Sequence, residues 1–266
     1  MTGASRGIGR QVALHLAEHG AAVAAVARAS AALTSLPEEA ARTGGRLRVF
    51  AADVTAPAEV EAAFTAVDAE IGAVMLAVAC AGTDGPLGPL HSADPEAWWR
   101  AVEVDLRGTM LTARFAVGRM VRAGGGRFVT VYGNLGDRLG AHVSAFAAAK
   151  AGVARLTEVL AGEVEDSGVR VFGIHPGFVR TRLTERLAWG AEGRTWLPRF
   201  GVGVEDRWGD GRPAADLVEA IALGRADALS GRVLHVGDDL AELAERCGDD
   251  QDLRRLRLVW DPPTSG

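Results

Sequence analysis

The chain has 266 residues, of which 48% are hydrophobic and 24% charged, and its formal net charge at pH 7 is −5. This length and composition predict one globular α/β domain spanning residues 1–266. The acidic balance argues against nucleic acid as a partner, because neutralising phosphates requires a clustered surface of Lys and Arg.

Cysteine and histidine usage argue against disulfide and metal sites. Cys80 and Cys247 provide neither a disulfide framework nor a metal-ligand spacing. We interpret the six histidines as scattered, without paired spacing on a helix face, and therefore expect no metal site. The longest apolar stretch, 71–82, is too short to cross a bilayer, and no secretory signal opens the chain. These features predict a cytoplasmic protein with no membrane partner.

Short apolar runs alternate with longer helical stretches along the chain. Because this alternation builds a parallel sheet with helices on both faces, we expect a Rossmann-like, doubly wound α/β fold. The predicted strands are 22–27, 46–52, 73–79, 127–132, 169–174 and 232–236. The predicted helices are an opening helix that ends before Gly20, then 31–43, 59–71, 94–122 (with Asp94 as N-cap), 142–166 and one that begins at Pro213.

The segment Thr2-Gly3-Ala4-Ser5-Arg6-Gly7-Ile8-Gly9 is the strongest signal in the chain. Glycines at these spacings permit a tight turn and let the backbone approach a pyrophosphate, which binds at the N-terminus of the following helix. The helix and the strand after Gly20 supply the context that such a turn requires. The segment therefore predicts a dinucleotide site.

A turn of this kind normally follows a strand, yet here it begins at residue 2. The absent strand would be the central one of the sheet, and its loss would leave backbone groups of both neighbours unpaired. We therefore expect the first strand to be truncated and the natural start to lie upstream of Met1.

Four segments together resemble the short-chain dehydrogenase/reductase family. They are the octet at 2–9, Asp53-Val54, Ala81-Gly82 and Pro176-Gly177-Phe178-Val179-Arg180-Thr181. The resemblance covers nearly the whole chain, although Ala79 and Cys80 replace two asparagines that the family has before Ala81. The resemblance implies that the protein binds a nicotinamide cofactor. Together with the charges of Arg6 and Arg28, which are discussed in the next paragraph, it predicts the following cofactor contacts: Gly3, Ser5, Arg6, Gly7, Ile8, Gly9, Arg28, Asp53, Val54, Ala81, Gly82, Lys150, Pro176, Gly177, Val179 and Thr181.

Charge near the second strand indicates which nicotinamide cofactor is used. An NAD enzyme usually has a carboxylate at the end of this strand to bind the ribose hydroxyls. Here Ala27 stands there, Arg28 follows, and Arg6 lies in the glycine-rich turn. Because a guanidinium binds phosphate bidentately, this pattern favours NADP(H) over NAD(H). The alternative is that both arginines are solvated surface residues.

The resemblance also implies a catalytic set. In the family, a tyrosine protonates the substrate carbonyl, a lysine four residues later lowers the tyrosine pKa and binds the nicotinamide ribose, a serine orients the carbonyl, and an asparagine holds a relay water. Lys150, the only lysine of the chain, matches the lysine, but Phe146 stands at the tyrosine, Gly133 at the serine and Asp105 at the asparagine. Losing a positioned general acid typically costs about 10²–10⁴ in rate, so the mechanism is expected to be atypical.

Three interpretations follow for the chemistry. In the preferred one, the protein still reduces a carbonyl or oxidises an alcohol, and the proton comes from Tyr132, Asp105, His142, substrate or water. In the second it binds the cofactor without redox turnover, as a partner subunit or sensor. In the third it is a non-redox enzyme such as a cyclase or dehydratase. Each candidate has a plainer interpretation: Tyr132 as a core residue, Asp105 as bonded to local backbone, His142 as an exposed helix-start residue.

The segment 182–208 would form the substrate lid of such an enzyme, within an irregular stretch containing a short helix. Its apolar residues indicate an apolar, ring-containing small molecule, or else packing of the lid on its own domain; they are Leu183, Leu187, Trp189, Trp196 and Leu197. The charged tail, 240–266, is expected on the surface. By analogy with the family, the helices at 94–122 and 142–166 predict a homodimer or homotetramer.

Overall fold

The structure is a computed structural model that describes residues 1–133, 140–203, 206 and 208–256. Parallel strands form its central layer: β1 (Ala22–Ala27), β2 (Arg46–Ala51), β3 (Leu76–Ala79), β4 (Gly126–Val131), β5 (Val169–His175) and β6 (Val233–His235). Four of them pair in the order β3-β4-β5-β6, and β1 pairs with β2. The expected α/β fold with parallel strands is confirmed.

Helices connect these strands. They are α1 (Gly7–Glu18), α2 (Ala31–Thr34), α3 (Leu36–Arg42), α4 (Pro57–Glu70), α5 (Pro95–Val102), α6 (Gly108–Ala123), α7 (Ser144–Glu163), α8 (Arg182–Trp189), α9 (Ala191–Trp196), α10 (Arg212–Ala222) and α11 (Leu240–Asp249). Among the described residues, no helix is both long and apolar enough to span a membrane.

Side chains of the central strands alternate between two apolar clusters. On β4, Phe128 packs with α6 on one face, whereas Val129 packs with α1 and α10 on the other. On β5, Val171 and Phe172 divide between the same two clusters. Because neighbouring residues of a strand point to opposite faces, this division places helices on both sides of the sheet.

Met1 and Thr2 lie between β1 and β3. The Met1 ammonium donates to Ala24 O at 2.9 Å, Val26 N donates to Met1 O at 2.8 Å, and Thr2 N donates to Val78 O at 3.0 Å. Burial lowers the pKa of the Met1 ammonium to about 6. These two residues join the pair β1-β2 to the four-stranded sheet at the position where the sequence predicts a truncated strand.

Two predicted helices are wrong in detail. The predicted helix 94–122 is interrupted by a π-helical turn, Glu103–Arg107, which separates α5 from α6. The predicted helix 31–43 is divided into α2 and α3 at Ser35. The described part of the tail, 240–256, contains α11, which packs on the domain through the buried residues Leu243 and Cys247. The predicted N-cap is confirmed, since the Asp94 side chain accepts from Glu96 N.

Candidate functional site

The glycine-rich turn is packed tightly against the segment that follows β3. Gly3 has a φ of +66°, and a Cβ there would lie 2.8 Å from the Ala81 Cα. A Cβ at Gly9 would lie 2.5 Å from Gly3 O. Both positions therefore exclude a side chain, which keeps the backbone at the N-terminus of α1 open to a ligand. A dinucleotide diphosphate fits this cradle.

The segment after β5 closes one side of the turn. Gly177 has a φ of +75°, and Val179 forms an isolated bridge with Gly209. Thr181 caps α8 by accepting from Thr184 N, and its Cγ2 would lie 3.2 Å from a Cβ at Gly7. The predicted contacts in 176–181 therefore adjoin the predicted contacts in the glycine-rich turn.

Asp53 and Val54 follow β2 as predicted. Thr55 donates to Asp53 Oδ1 through its amide at 2.9 Å and its hydroxyl at 2.7 Å, and Arg100 lies 3.2 Å from Oδ2. Although partial burial raises the pKa of Asp53, these hydrogen bonds and the charges of Arg100 and Arg28 lower it below its ordinary value. Arg28 is exposed, as is Arg6 at the N-cap of α1.

A buried ion pair lies on the other side of the segment 81–82. The π-helical turn carries Asp105, which is 0% exposed; its Oδ1 accepts from Thr83 N at 2.7 Å and would lie 3.2 Å from a Cβ at Gly82. Lys150 Nζ donates to Val131 O at 3.0 Å and lies 3.7 Å from Asp105 Oδ2. The segment 81–82 therefore lies between the glycine-rich turn and the ion pair and contacts both of them.

Burial raises the pKa of the Asp105 carboxyl to about 6, since the Lys150 charge and the Thr83 amide offset only part of the desolvation. Among the described residues, Asp105 Oδ2 has no hydrogen-bond partner. A buried carboxyl with a pKa of about 6 can both gain and lose its proton near neutral pH, and can therefore serve as an acid or a base.

Phe146 and Gly133 adjoin this pair. The Phe146 ring centroid lies 5.6 Å from Lys150 Nζ, and a Cβ at Gly133 would lie 3.3 Å from Phe146 Cζ. Asn134, which continues the aligned segment, lies outside the described residues, as do 135–139.

The other two candidate proton donors have different surroundings. Tyr132 is buried, and its amide donates to Ile174 O at 2.8 Å. His142 has a φ of +70°, and its ring centroid lies 5.1 Å from that of Trp196 in the lid. Asp105, by contrast, is ion-paired with Lys150.

The lid residues pack largely on their own domain. Leu187 is buried in a cluster with Leu87 and Val143, and Leu183, Leu197 and Phe200 pack against it. Trp189 contacts Trp208 edge to face, with ring centroids 4.4 Å apart, and Trp196 is 36% exposed. Two short helices, α8 and α9, replace the single short helix expected here, and Val204, Glu205 and Arg207 of the predicted lid are outside the described residues.

Arg186 is a site residue that the sequence reasoning missed. Its guanidinium pairs with Asp84 and, at 2.5 Å, with Glu192, and it donates to Gly85 O at 3.0 Å. These residues line a cavity of about 570 Å³ beside Thr83. Asp84 and Arg186 are 102 positions apart in the chain, so no local sequence pattern indicates this contact.

The interpretation of the histidines as unpaired is wrong. His15 lies in the last turn of α1 and His19, four residues later, is the C-cap of this helix; their ring centroids lie 4.2 Å apart. The spacing was visible in the sequence and predicts that both rings lie on one helix face.

A family model described as short chain dehydrogenase matches residues 1–190. The chain belongs to the short-chain dehydrogenase family. It is 36% identical to a cis-4-hydroxycyclohexanecarboxylate dehydrogenase of Sinomonas cyclohexanicum, over 86% of this chain and 89% of that one. It is 31% identical to a cyclohexanol dehydrogenase of an Acinetobacter species, over 69% of this chain and 73% of that one.

Solved structures of the same family share the fold. A gluconate 5-dehydrogenase from Burkholderia cenocepacia, in complex with NADP and tartrate, superposes with a TM-score of 0.78 at 26% identity, covering 91% of this chain and 93% of that one. The short-chain dehydrogenase described here is thus related to oxidoreductases, one of which has been solved in complex with NADP.

Proposed function

We propose that this short-chain dehydrogenase is an NADP(H)-dependent oxidoreductase that interconverts a carbonyl and an alcohol on an apolar, ring-containing small molecule by an atypical mechanism. The observation that carries the proposal is the buried Lys150, held by Val131 O beside Asp105 and joined through Gly82 and Ala81 to the glycine turn. A lysine costs free energy to bury, so its placement at the end of the cofactor cradle favours a retained function there.

The charge pattern supports the phosphorylated cofactor. Arg28 is exposed directly after β1, where Ala27 stands in place of a carboxylate, and Arg6 is exposed in the glycine turn. Guanidinium groups here favour a ribose 2′-phosphate. The gluconate 5-dehydrogenase neighbour, which binds NADP, agrees with this preference.

The names of the relatives support a cyclic alcohol or ketone as substrate. Two of the relatives act on cyclohexanol or hydroxycyclohexanecarboxylate, as their names state. The apolar lid residues Leu183 and Leu197 are only partly buried against the cluster of Leu87, Val143 and Leu187, so apolar surface remains for a ring.

For the chemical step, the bound dinucleotide would supply the hydride. The chain's own residues must then hold the sugar and deliver one proton to the carbonyl oxygen. Phe146 offers no proton, so the Lys150 ammonium beside it is the proposed donor to the carbonyl oxygen. In molecules in which Asp105 is protonated, its carboxyl then gives its proton to the neutral Lys150 amine across 3.7 Å, which restores the ion pair, and Asp105 is protonated again from solvent. Asp105 acts as a positioning and proton-holding residue behind Lys150.

The proposal is tested with two measurements on the full chain. Calorimetry with NADPH and NADH should give tighter binding of NADPH, and equal affinities would remove the cofactor preference. NADPH consumption should be followed against a panel of cyclic and linear ketones. Turnover on a cyclic ketone supports the proposal, whereas tight NADPH binding without turnover on any carbonyl contradicts the redox activity.

One observation favours a second candidate, a cofactor-binding protein without redox turnover. Gly133 leaves space that the Phe146 ring fills, since a Cβ at residue 133 would lie 3.3 Å from that ring. The fold is therefore well packed at these two positions although the tyrosine and serine hydroxyls of the family are absent. The same calorimetry and turnover measurements distinguish the two candidates.

A further inference from the structure

A cluster of metal-ligating side chains lies between α1 and α10, away from the cofactor cradle. His15 lies in the last turn of α1, His19 follows this helix as its C-cap residue, and Glu219 comes from α10. One ligand atom from each of the three lies within 4.8 Å of the others. Asp216, one turn before Glu219, has Oδ1 3.6 Å from His15 Nε2. Helix pairs with this donor set recur in metal sites.

A hydrogen bond made by His19 leaves its other ring nitrogen with a lone pair that can bind a cation. His19 Nδ1 lies 2.8 Å from His15 O. Since a carbonyl only accepts, Nδ1 carries the proton and the lone pair of His19 remains on Nε2. A ligating histidine is typically fixed in this way, through a hydrogen bond from its other nitrogen to a carbonyl.

His15 Nε2 lies 2.6 Å from Glu219 Oε2, with one proton held between them. A cation that binds to both atoms displaces this proton from between them, and the His15 imidazole then carries its one proton on Nδ1, which leaves the lone pair of Nε2 for the ion. His15 is 8% exposed, whereas Glu219 and Asp216 are 28% and 55% exposed at their side chains. The cluster is therefore anchored at His15 and open to solvent on its other side.

The distances require only side-chain adjustment. Ligands of a tetrahedral zinc ion with bonds of about 2.0 Å are separated by about 3.3 Å. The three donors are already within 4.8 Å of one another, and the exposed His19 ring can approach the other two donors while Nδ1 keeps its hydrogen bond to His15 O. Asp216 or water would complete four-coordination.

We propose that His15, His19 and Glu219 form a binding site for a divalent transition metal, with zinc as the probe of choice. Imidazole with carboxylate suits Zn²⁺, whereas Mg²⁺ and Ca²⁺ prefer all-oxygen sites. The ion clamps α1 to α10. The cluster is near the C-terminal end of α1, about 12–18 Å along the helix from the glycine turn, so it is a structural rather than a catalytic site.

The test uses the untagged, metal-stripped full chain, titrated with ZnCl₂ by calorimetry and followed by thermal unfolding. The wild type should bind one zinc ion per chain, and zinc should raise its Tm. His19→Ala and Glu219→Gln should each weaken zinc binding by at least about tenfold and lose the Tm shift. His91→Ala, which removes an exposed histidine outside the cluster, is the matched control and should bind as the wild type does.

Both substituted side chains reach solvent, so the variants are expected to fold, and circular dichroism without metal checks this. Failure of the wild type to bind zinc stoichiometrically overturns the site, leaving a hydrogen-bonded His15–Glu219 pair. Equal zinc affinity in His19→Ala and wild type overturns it as well. NADPH binding, measured in parallel, should be unchanged by zinc, so the two proposals fail independently.

Discussion

Phe146 and Gly133 are so close to each other that a side chain at either position restricts which side chain fits at the other. A serine at residue 133 would bring its Cβ to 3.3 Å from Phe146 Cζ, so the ring would have to shift by a few tenths of an ångström. A hydroxyl added to the Phe146 ring would be attached at Cζ, the ring atom nearest to a Cβ at residue 133. The ring hydroxyl should therefore be restored first, while residue 133 still has no side chain.

Phe146→Tyr should raise the rate of ketone reduction by about 10²-fold, because it supplies a general acid beside Lys150. Phe146→Tyr with Gly133→Ser should give a further increase. Steady-state NADPH oxidation measures both variants. Phe115→Tyr, which adds a hydroxyl on α6 outside the site, is the matched control. No gain in either variant would mean that more than the acid has been lost.

Asp105→Asn tests the raised pKa of the buried carboxyl. A folded-state pKa of about 6, against an ordinary 3.8, means that ionisation of Asp105 opposes folding. The stability that Asp105 contributes is fully present below about pH 4 and is lost as pH rises through 6. Relative to Asp105→Asn, the wild type should lose about 3 kcal/mol of unfolding free energy across this window.

Urea unfolding of both proteins between pH 4 and pH 8 measures this difference. The same variant has a kinetic signature: ketone reduction by the wild type should fall as pH rises through about 6, and Asp105→Asn should lack this titration. A stability difference that does not change with pH would show that the Asp105 pKa is not raised. Asp68→Asn, at an exposed ion pair with Arg119, is the control.

At the scale of elements, two irregular segments position the site. The π-helical turn at Glu103–Arg107 takes an extra residue into one turn and directs Asp105 toward Lys150. The glycine turn brings the N-terminus of α1 against the loop after β3. Both deviate from regular geometry, as functional segments often do.

Gly9→Ala tests the turn. The added Cβ would lie 2.5 Å from Gly3 O, a backbone atom that cannot move without opening the turn, so NADPH affinity should fall at least tenfold and stability by about 1–3 kcal/mol. Gly162→Ala, on α7 with no atom within 4 Å of its Cβ, is the control. It should bind NADPH normally and be up to about 1 kcal/mol more stable. Normal NADPH binding by Gly9→Ala would contradict the proposal that the glycine-rich turn holds the cofactor.

At the scale of the whole molecule, exposed apolar side chains lie on the helices that the sequence analysis expects to pair between copies. Trp99 on α5 is 58% exposed, Met110 and Val121 on α6 are 39% and 42% exposed, and Val159 on α7 is 49% exposed. Large apolar side chains at such positions favour a homodimer or homotetramer, which stays a prediction.

Sedimentation equilibrium should therefore find the full chain as a dimer or tetramer, and Val159→Glu should shift it toward monomer because a charge would be buried in the interface. Leu223→Glu changes a side chain that is 60% exposed after α10 and should leave the assembly intact. A wild type that sediments as a monomer would exclude the expected assembly.

The sequence by itself determined the order of strands and helices, the glycine turn and the pairing of Phe146 with Lys150 on α7, because these are local patterns with a fixed period or spacing. It also contained the His15–His19 spacing, which was overlooked. The tertiary structure alone decided the π-helical turn, the burial of Asp105 and the contacts of Arg186 and Glu219. Burial, and the pKa shift it causes, depends on residues distant in the chain: Lys150 is 45 residues from Asp105, and Glu219 is 204 residues from His15. Tertiary packing brings such residues together, and a local sequence pattern cannot predict contacts between residues that are so far apart in the chain.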